Sequence, residues 1–417
     1  MRRVVVTGLG FISSIGNNRG NVTQSLRTAR SGIEPFDLFS KNHLPVHLAG
    51  TVKGFLFPDP DCEDWVIPPE HKLSRTQLRT MAPNSVYGFC ALEQAIADAQ
   101  LDKGMVSDPR TGLQCASLGS MWINYENFHT MFKQGFTKFP PHGVTSTVSG
   151  TLNFNLSVLF GIKGACVGFA SACSSSAHAL GYGADLIRMG RQDRMFIVGA
   201  EELDLFVNVP FISVRALSPA TEPSQAPRAF CRHRDGFLPT GGSAALVLEE
   251  LSSAQSRGAT IYAEIKGWGQ TSDGYNLMAP EPHGEGMARA MQLALDEAEL
   301  KSNQIDYLNA HATSTVLGDV AELRAIKQVF RDRKPAVSST KSLTGHGISM
   351  AGALEAGISC LTIKEGFVPI SANITELDPE AEGIPIVTRA TDEKPRVVMS
   401  NSSGFGGSNV SIVFSAV

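Results

Sequence analysis

Residues 165–190 read ACVGFASACSSSAHALGYGADLIRMG. A short apolar run, 165–170, leads into Ser-Ala-Cys-Ser-Ser-Ser, and small residues at helical spacing follow (Ala177, Leu180, Ala184, Ile187). The pattern is strand, tight turn, buried helix. It sets Cys173 at a helix N-terminus, where unpaired backbone N–H groups and the positive end of the helix dipole favour thiolate over thiol. The flanking serines are placed to cap the same helix end. Free cysteine is also among the most buried residue types, so this stretch alone leaves two readings of Cys173, nucleophile or core.

Working outward, strands and helices alternate along all 417 residues, which argues an α/β fold. Strand signals fall at 4–10, 111–118, 194–200, 244–249, 261–267, 305–310, 336–339, 396–401 and 409–414. Helical spacing falls at 21–30, 85–99, 284–298, 318–330 and 349–364, with Asn84 the expected N-cap of the second. Residues 37–69 are irregular and read as a surface excursion. The aromatic segment 121–143, with Trp122, Tyr125, Phe128, Phe132, Phe136 and Phe139, reads either as core or as the wall of an apolar tunnel. The chain echoes itself: a strand, a turn bearing a reactive residue and a small-residue helix occur once around Cys173 and again around His346. Two such units, 1–255 and 256–417, would bring Cys173 and His346 together if their small-residue helices face each other.

Composition narrows the function. A net charge of −4 carries no global nucleic-acid signature. No run of about 18 apolar residues exists, so no membrane-spanning helix is expected. Seven irregularly spaced cysteines without a CxxC fit reduced thiols in a cytoplasm rather than a disulfide framework. Cys231 and His233 lack a second ligand pair, so no metal site is expected.

Four further stretches carry chemistry-bearing residues. Asn309-Ala-His311-Ala-Thr313-Ser-Thr315 puts a histidine at a strand end beside two hydroxyls; a structural histidine is the plain alternative. Ser339-Thr-Lys341-Ser-Leu-Thr-Gly345-His346 puts a lysine five residues before a histidine, or else an exposed loop charge. Glu322, on the next helix, is placed to pair with Lys341 or to be solvated. Ser403-Gly404-Phe405-Gly406-Gly407 is a hairpin turn whose glycines can expose N–H groups to an oxyanion.

In this order, Cys173, the N-A-H-x-T-S-T turn, K-S-L-T-G-H and G-F-G-G-S-N resemble the β-ketoacyl-acyl carrier protein synthases. The resemblance extends to VVVTGLGFISSIGNN at the start, RDGF at 234–237 and TSDG at 271–274, and so covers essentially the whole chain. The Gly-Gly pair after RDGF looks more like synthase I than synthase II. The resemblance implies a thiolase-like fold, two βαβαβαββ halves in five layers, usually a homodimer, with a heterodimer as the alternative. It implies Cys173 as acyl-accepting nucleophile, His311 and His346 as the active-site histidines, and Lys341 as the active-site lysine, with Glu322 a structural acid near it. Thr313 and Thr315 match hydroxyls that bind a phosphopantetheine arm. Phe405 matches a gate whose N–H completes an oxyanion hole with that of Cys173, flanked by Gly404 and Gly406. No metal or redox cofactor is implied; the partner is an acidic acyl carrier protein, docking near Arg79, Lys133 and Lys138.

The chain departs from the pattern in places. Ala312 stands where glycine is usual, Val316 where proline is common, Ile348-Ser349 where Leu-Gly is usual, and bulkier residues replace a glycine-rich stretch at 116–122. These predict a reshaped acyl tunnel and a non-standard primer. The implied reaction is decarboxylative condensation in fatty-acid elongation. The alternatives are a dedicated polyketide or aryl-polyene ketosynthase and a chain-length-factor partner, which would lack the nucleophile. A biosynthetic thiolase would need a second cysteine near the C-terminus, and Gly404–Asn409 has none.

Overall fold

A computed structural model describes residues 2–417. Its strands are β1 (Val4–Ile12), β2 (Ile33–Pro35), β3 (Leu48–Gly50), β4 (Thr111–Ala116), β5 (Cys166–Phe169), β6 (Arg194–Glu201), β7 (Gly242–Glu250), β8 (Ala263–Ser272), β9 (Tyr307–Asn309), β10 (Ala336–Ser338), β11 (Val397–Gly404) and β12 (Ser408–Ser415). β2 and β3 pair separately; the others run in the order β10-β9-β11-β12-β8-β1-β7-β6-β4-β5. From either outer end, this is the same permutation: third, second, fourth, fifth, first strand of its half. Within each half the first three strands in that order are parallel and the last two pairings antiparallel. The halves join where Val4–Val6 of β1 meets Ala263–Ile265 of β8.

Three apolar clusters separate the layers. Pro83–Asp98 and Thr151–Phe160 cover the outer face of the first half's strands. Glu285–Ala298 and Val316–Val329 cover the second. Between the two five-strand halves lie Ser175–Arg188 and Ala351–Glu365. Ala351–Glu365 is buried along its length up to Ile363, as a helix enclosed on all sides must be. The two central helices touch backbone to backbone. A Cβ on Gly352 would lie 2.6 Å from the Ala177 nitrogen, so only glycine permits this approach. The contact draws together the N-terminal turns of both helices, and with them Cys173 and His346.

Some local expectations fail for identifiable reasons. The helix expected at 85–99 starts at Pro83 after Ala82, and Asn84 does not cap it; its side chain donates to Ser117 Oγ at 2.6 Å instead. The segment 121–143 is core only at its start, where Trp122 and Ile123 pack on the first half's outer cluster, and none of its aromatic residues lines the main cavity. Met121–Gln134 is a helix that buries Ile123 and Asn127 and leaves Phe132 79% exposed, and Phe136, in the single turn that follows it, is 81% exposed. No helix of the described residues is long and apolar enough to cross a membrane.

Candidate active site

Cys173 sits in a turn tied by its serines. Ala172 has φ +50, an uncommon left-handed conformation for a non-glycine residue. Ser174 Oγ donates to the Ser171 carbonyl at 2.8 Å, and Ser175 Oγ accepts from Ser171 N at 2.8 Å. The serines therefore brace the turn; the expected side-chain cap of the helix is not formed. Electrostatics also departs from expectation. Burial pushes the Cys173 thiol up to about 12, against a lowering pull from the Lys341 charge. In the closed site, desolvation outweighs the lysine charge and a backbone hydrogen bond.

The second half supplies two imidazoles. His311 follows β9, and Glu322 shapes its turn. Glu322 accepts the backbone N–H groups of His311 at 2.9 Å and Ala312 at 2.7 Å, and the Asn401 side-chain amide at 3.0 Å. The Cβ of Ala312 fits because the left-handed residue of this turn is Ser314, at φ +70. His346 is fixed through its backbone, donating to Leu238 O at 2.8 Å, while the Phe237 ring meets it edge-on at 5.3 Å. The two imidazole centroids are 5.6 Å apart at 85°. Burial, then the Lys341 charge, holds both well below the ordinary histidine range, with His346 lowering His311 further. Both are thus neutral near pH 7, and each keeps a buried Nδ1 with no protein partner.

Lys341 does not pair with Glu322. Its ammonium forms a buried ion pair with Glu355, on the central helix. The lysine acts on the thiol and the imidazoles through its charge and does not line the cavity. Glu355 carries no motif; its only sequence signal is a lone acid in a run of small and apolar residues.

Thr313 and Thr315 place their hydroxyls 3.2 Å apart in the cavity wall. The turn that carries them is held by Arg234, which donates to the carbonyls of Thr315 at 2.9 Å and Val316 at 2.7 Å and pairs with Asp378 at 2.6 Å. Opposite lies the β11–β12 hairpin. A Cβ on Gly404 would stand 2.8 Å from Ser171 O and 3.0 Å from Cys173 N, so glycine lets this loop rest against the nucleophile's backbone. Phe405 is 40% exposed and packs on Phe211 at 5.8 Å. One cavity of ≈ 420 Å³ brings together Cys173, His311, His346, Thr313, Thr315 and Phe405. Gly404 also lines it, whereas Gly406 is exposed at the hairpin tip. Arg79, Lys133 and Lys138 are exposed and lie outside the cavity, and Arg79 faces Glu63 at 3.7 Å.

Comparison with known proteins matches residues 1–254 to the beta-ketoacyl synthase N-terminal domain and residues 262–375 to its C-terminal domain. The chain belongs to the beta-ketoacyl synthase family. It is 42% identical to 3-oxoacyl-acyl-carrier-protein synthase 1 of Haemophilus influenzae, over 99% of each chain. It is 41% identical to the protein of that name in Escherichia coli, over 99% of this chain and 98% of that one. A crystal structure of a beta-ketoacyl synthase from Burkholderia phymatum superposes with a TM-score of 0.91 at 36% identity, covering 100% of both chains. The fold is therefore thiolase-like, and the chain is a condensing enzyme of the acyltransferase type.

Proposed function

We propose that this beta-ketoacyl synthase holds an acyl group on Cys173 and condenses it with malonyl-acyl carrier protein in fatty-acid elongation. The observation that carries the reading is the convergence of one buried thiol and two neutral imidazoles on a single cavity. The Cys173 sulfur attacks the thioester carbonyl of an acyl carrier protein. Backbone N–H groups of Cys173 and Phe405 stabilise the tetrahedral oxyanion, and the carrier's phosphopantetheine thiol leaves with the proton. Thr313 and Thr315 hold the arm.

Malonyl-carrier protein then loses CO₂, and the bond electrons pass into an enolate. Neutral His311 and His346 donate hydrogen bonds to its developing oxyanion; preorganised donors of this kind are worth a factor of about 10²–10³ each. The carbanion attacks the acyl-Cys173 carbonyl, expels the thiolate and yields 3-oxoacyl-carrier protein, two carbons longer. The reaction so written needs no cofactor beyond the phosphopantetheine of its substrates.

The acidic carrier docks on the exposed Arg79, Lys133 and Lys138; reversing all three charges raises its Michaelis constant, and an unchanged constant removes this patch from the reading. A homodimer is favoured by β5, which has a free edge at one end of the sheet and an exposed Val167. Seven free thiols support a reducing compartment, the cytoplasm. The test of the reaction is mass detection of 3-oxoacyl-carrier protein from acyl- and malonyl-carrier proteins. His311→Ala and His346→Ala are expected to form the Cys173 acyl adduct but little product. Full condensation by Cys173→Ala would refute the reading.

A further inference from the structure

His178 lies one turn into the central helix Ser175–Arg188. It is 8% exposed, does not line the cavity and takes no part in the proposed reaction. Its Nδ1 stands 2.9 Å from Ser171 Oγ and 3.2 Å from the Ser174 carbonyl oxygen. A carbonyl oxygen only accepts, which assigns the proton to Nδ1, and the Ser171 hydroxyl oxygen accepts from it as well. Both halves of the molecule hold the ring. Tyr182 stacks on it at 6.3 Å, and Trp268 of β8 meets it edge-on at 6.4 Å. Gln270 of β8 donates to the Tyr182 hydroxyl at 2.7 Å. Burial lowers the imidazole below its ordinary range, so it is neutral near pH 7.

Ser171 opens the nucleophile turn. Between it and Cys173 stands Ala172, at φ +50, a conformation that persists only where its surroundings over-determine it. Each polar group of Ser171 is engaged. Its N–H donates to Ser175 Oγ, its carbonyl accepts from Ser174 Oγ, and its side chain meets His178. Of these three partners, only His178 lies beyond the serines of the turn itself. The turn also carries the oxyanion donors. Gly404, next to Phe405, rests against the Ser171 carbonyl and the Cys173 nitrogen, and Ser408 Oγ lies 3.1 Å from Ser174 Oγ. A rotation of the Ser171 peptide therefore displaces the Cys173 N–H and the Phe405 hairpin together.

We propose that His178 is a positioning residue for the oxyanion hole: its hydrogen bond to Ser171 fixes the left-handed turn that aims the Cys173 N–H. The inference rests on Cys173 being the acylated residue. The histidine then acts on the tetrahedral intermediate and not on the sulfur. A hydrogen bond weakens steeply as its angle closes, so a misaimed donor loses part of the factor of about 10²–10³ that a whole donor supplies.

The experiment compares two rates at Cys173 in the full chain. One is acyl transfer, followed by intact-protein mass, from whichever of acetyl- and octanoyl-acyl carrier protein loads wild type faster. The other is alkylation by iodoacetamide, which forms no oxyanion. His178→Phe keeps the bulk of the ring and removes the hydrogen bond; His178→Asn returns an amide N–H close to the place of Nδ1. His178→Phe is expected to slow acyl transfer about 10- to 100-fold and to change alkylation by less than about twofold. His178→Asn is expected to recover most of that loss. Ser171→Ala, a smaller change, should lose about as much as His178→Phe, and the two together no more than either alone. Acyl transfer at the wild-type rate in His178→Phe overturns the inference and leaves the nucleophile standing. A parallel fall of both rates, or additive losses in the double variant, does the same. No acyl transfer by wild type from either carrier, or an adduct retained by Cys173→Ala, overturns the nucleophile and the inference together.

Discussion

At Cys173 burial and charge oppose each other. Desolvation lifts the thiol to about 12 while the Lys341 ammonium draws it down. Alkylation of Cys173 by iodoacetamide should therefore accelerate steadily with pH through the neutral range, without a plateau near 7. Lys341→Met should slow it at every pH and raise the histidines, since the lysine charge lowers all three groups; an unmoved profile would remove the lysine from the site's electrostatics. Lys341 itself depends on Glu355. Glu355→Ala leaves a buried ammonium unpaired and should cost about 3–5 kcal/mol in a denaturant melt, most of it recovered by Lys341→Met in the same chain. Cys173, His311 and His346 were legible in the sequence because each sits in a distinctive turn. Glu355 was not, because its partner is chosen by helix packing, and spacing along the chain pointed to Glu322 instead.

Between residue and fold, single side chains hold whole turns. Arg234 fixes the threonine turn through two carbonyls and faces two acids, Asp378 at 2.6 Å and Asp319 at 3.7 Å. Arg234→Met should raise the Michaelis constant for carrier-bound substrate and lower the melting temperature. Arg234→Lys should restore little of either, since an ammonium lacks the planar fork that spans both carbonyls. Gly404→Ala drives a methyl group into the backbone of Ser171 and Cys173. It should lower kcat by about 10²–10³, the scale of one lost oxyanion donor; near-normal turnover would move the oxyanion hole elsewhere. Periodicity found the helices to within a few residues but misread their ends. Asn84 took a tertiary partner, Ser117, that no local rule contains, and the serines after Cys173 bonded back into their own turn at Ser171 and Ala172 instead of forward into the helix.

For the molecule as a whole, duplication is the feature most readable from sequence: two strand–turn–helix units with reactive turns became two identically ordered sets of five strands. How closely they meet was not readable, since it turns on the contact of Gly352 with Ala177. This tight interior also sets a pH dependence. Burial raises Glu201 to about 8, and Asp319 and Glu355 to about 7. Acids whose folded values exceed the unfolded ones contribute stability that is full below the ordinary carboxylate range and is lost as pH rises through those values. Melting temperature should therefore fall from mildly acidic pH toward about 8, and Glu201→Gln should flatten that fall. A wild-type melt that rises across the window would contradict it.

The most direct test of the account is peptide-resolved mass mapping after incubation with acetyl-acyl carrier protein, comparing wild type with Cys173→Ala. The account predicts one acetyl thioester on the peptide containing Cys173 in wild type and none in the variant. An acetyl group on another cysteine, such as the exposed Cys166 of β5, or no acetyl group at all, would contradict it.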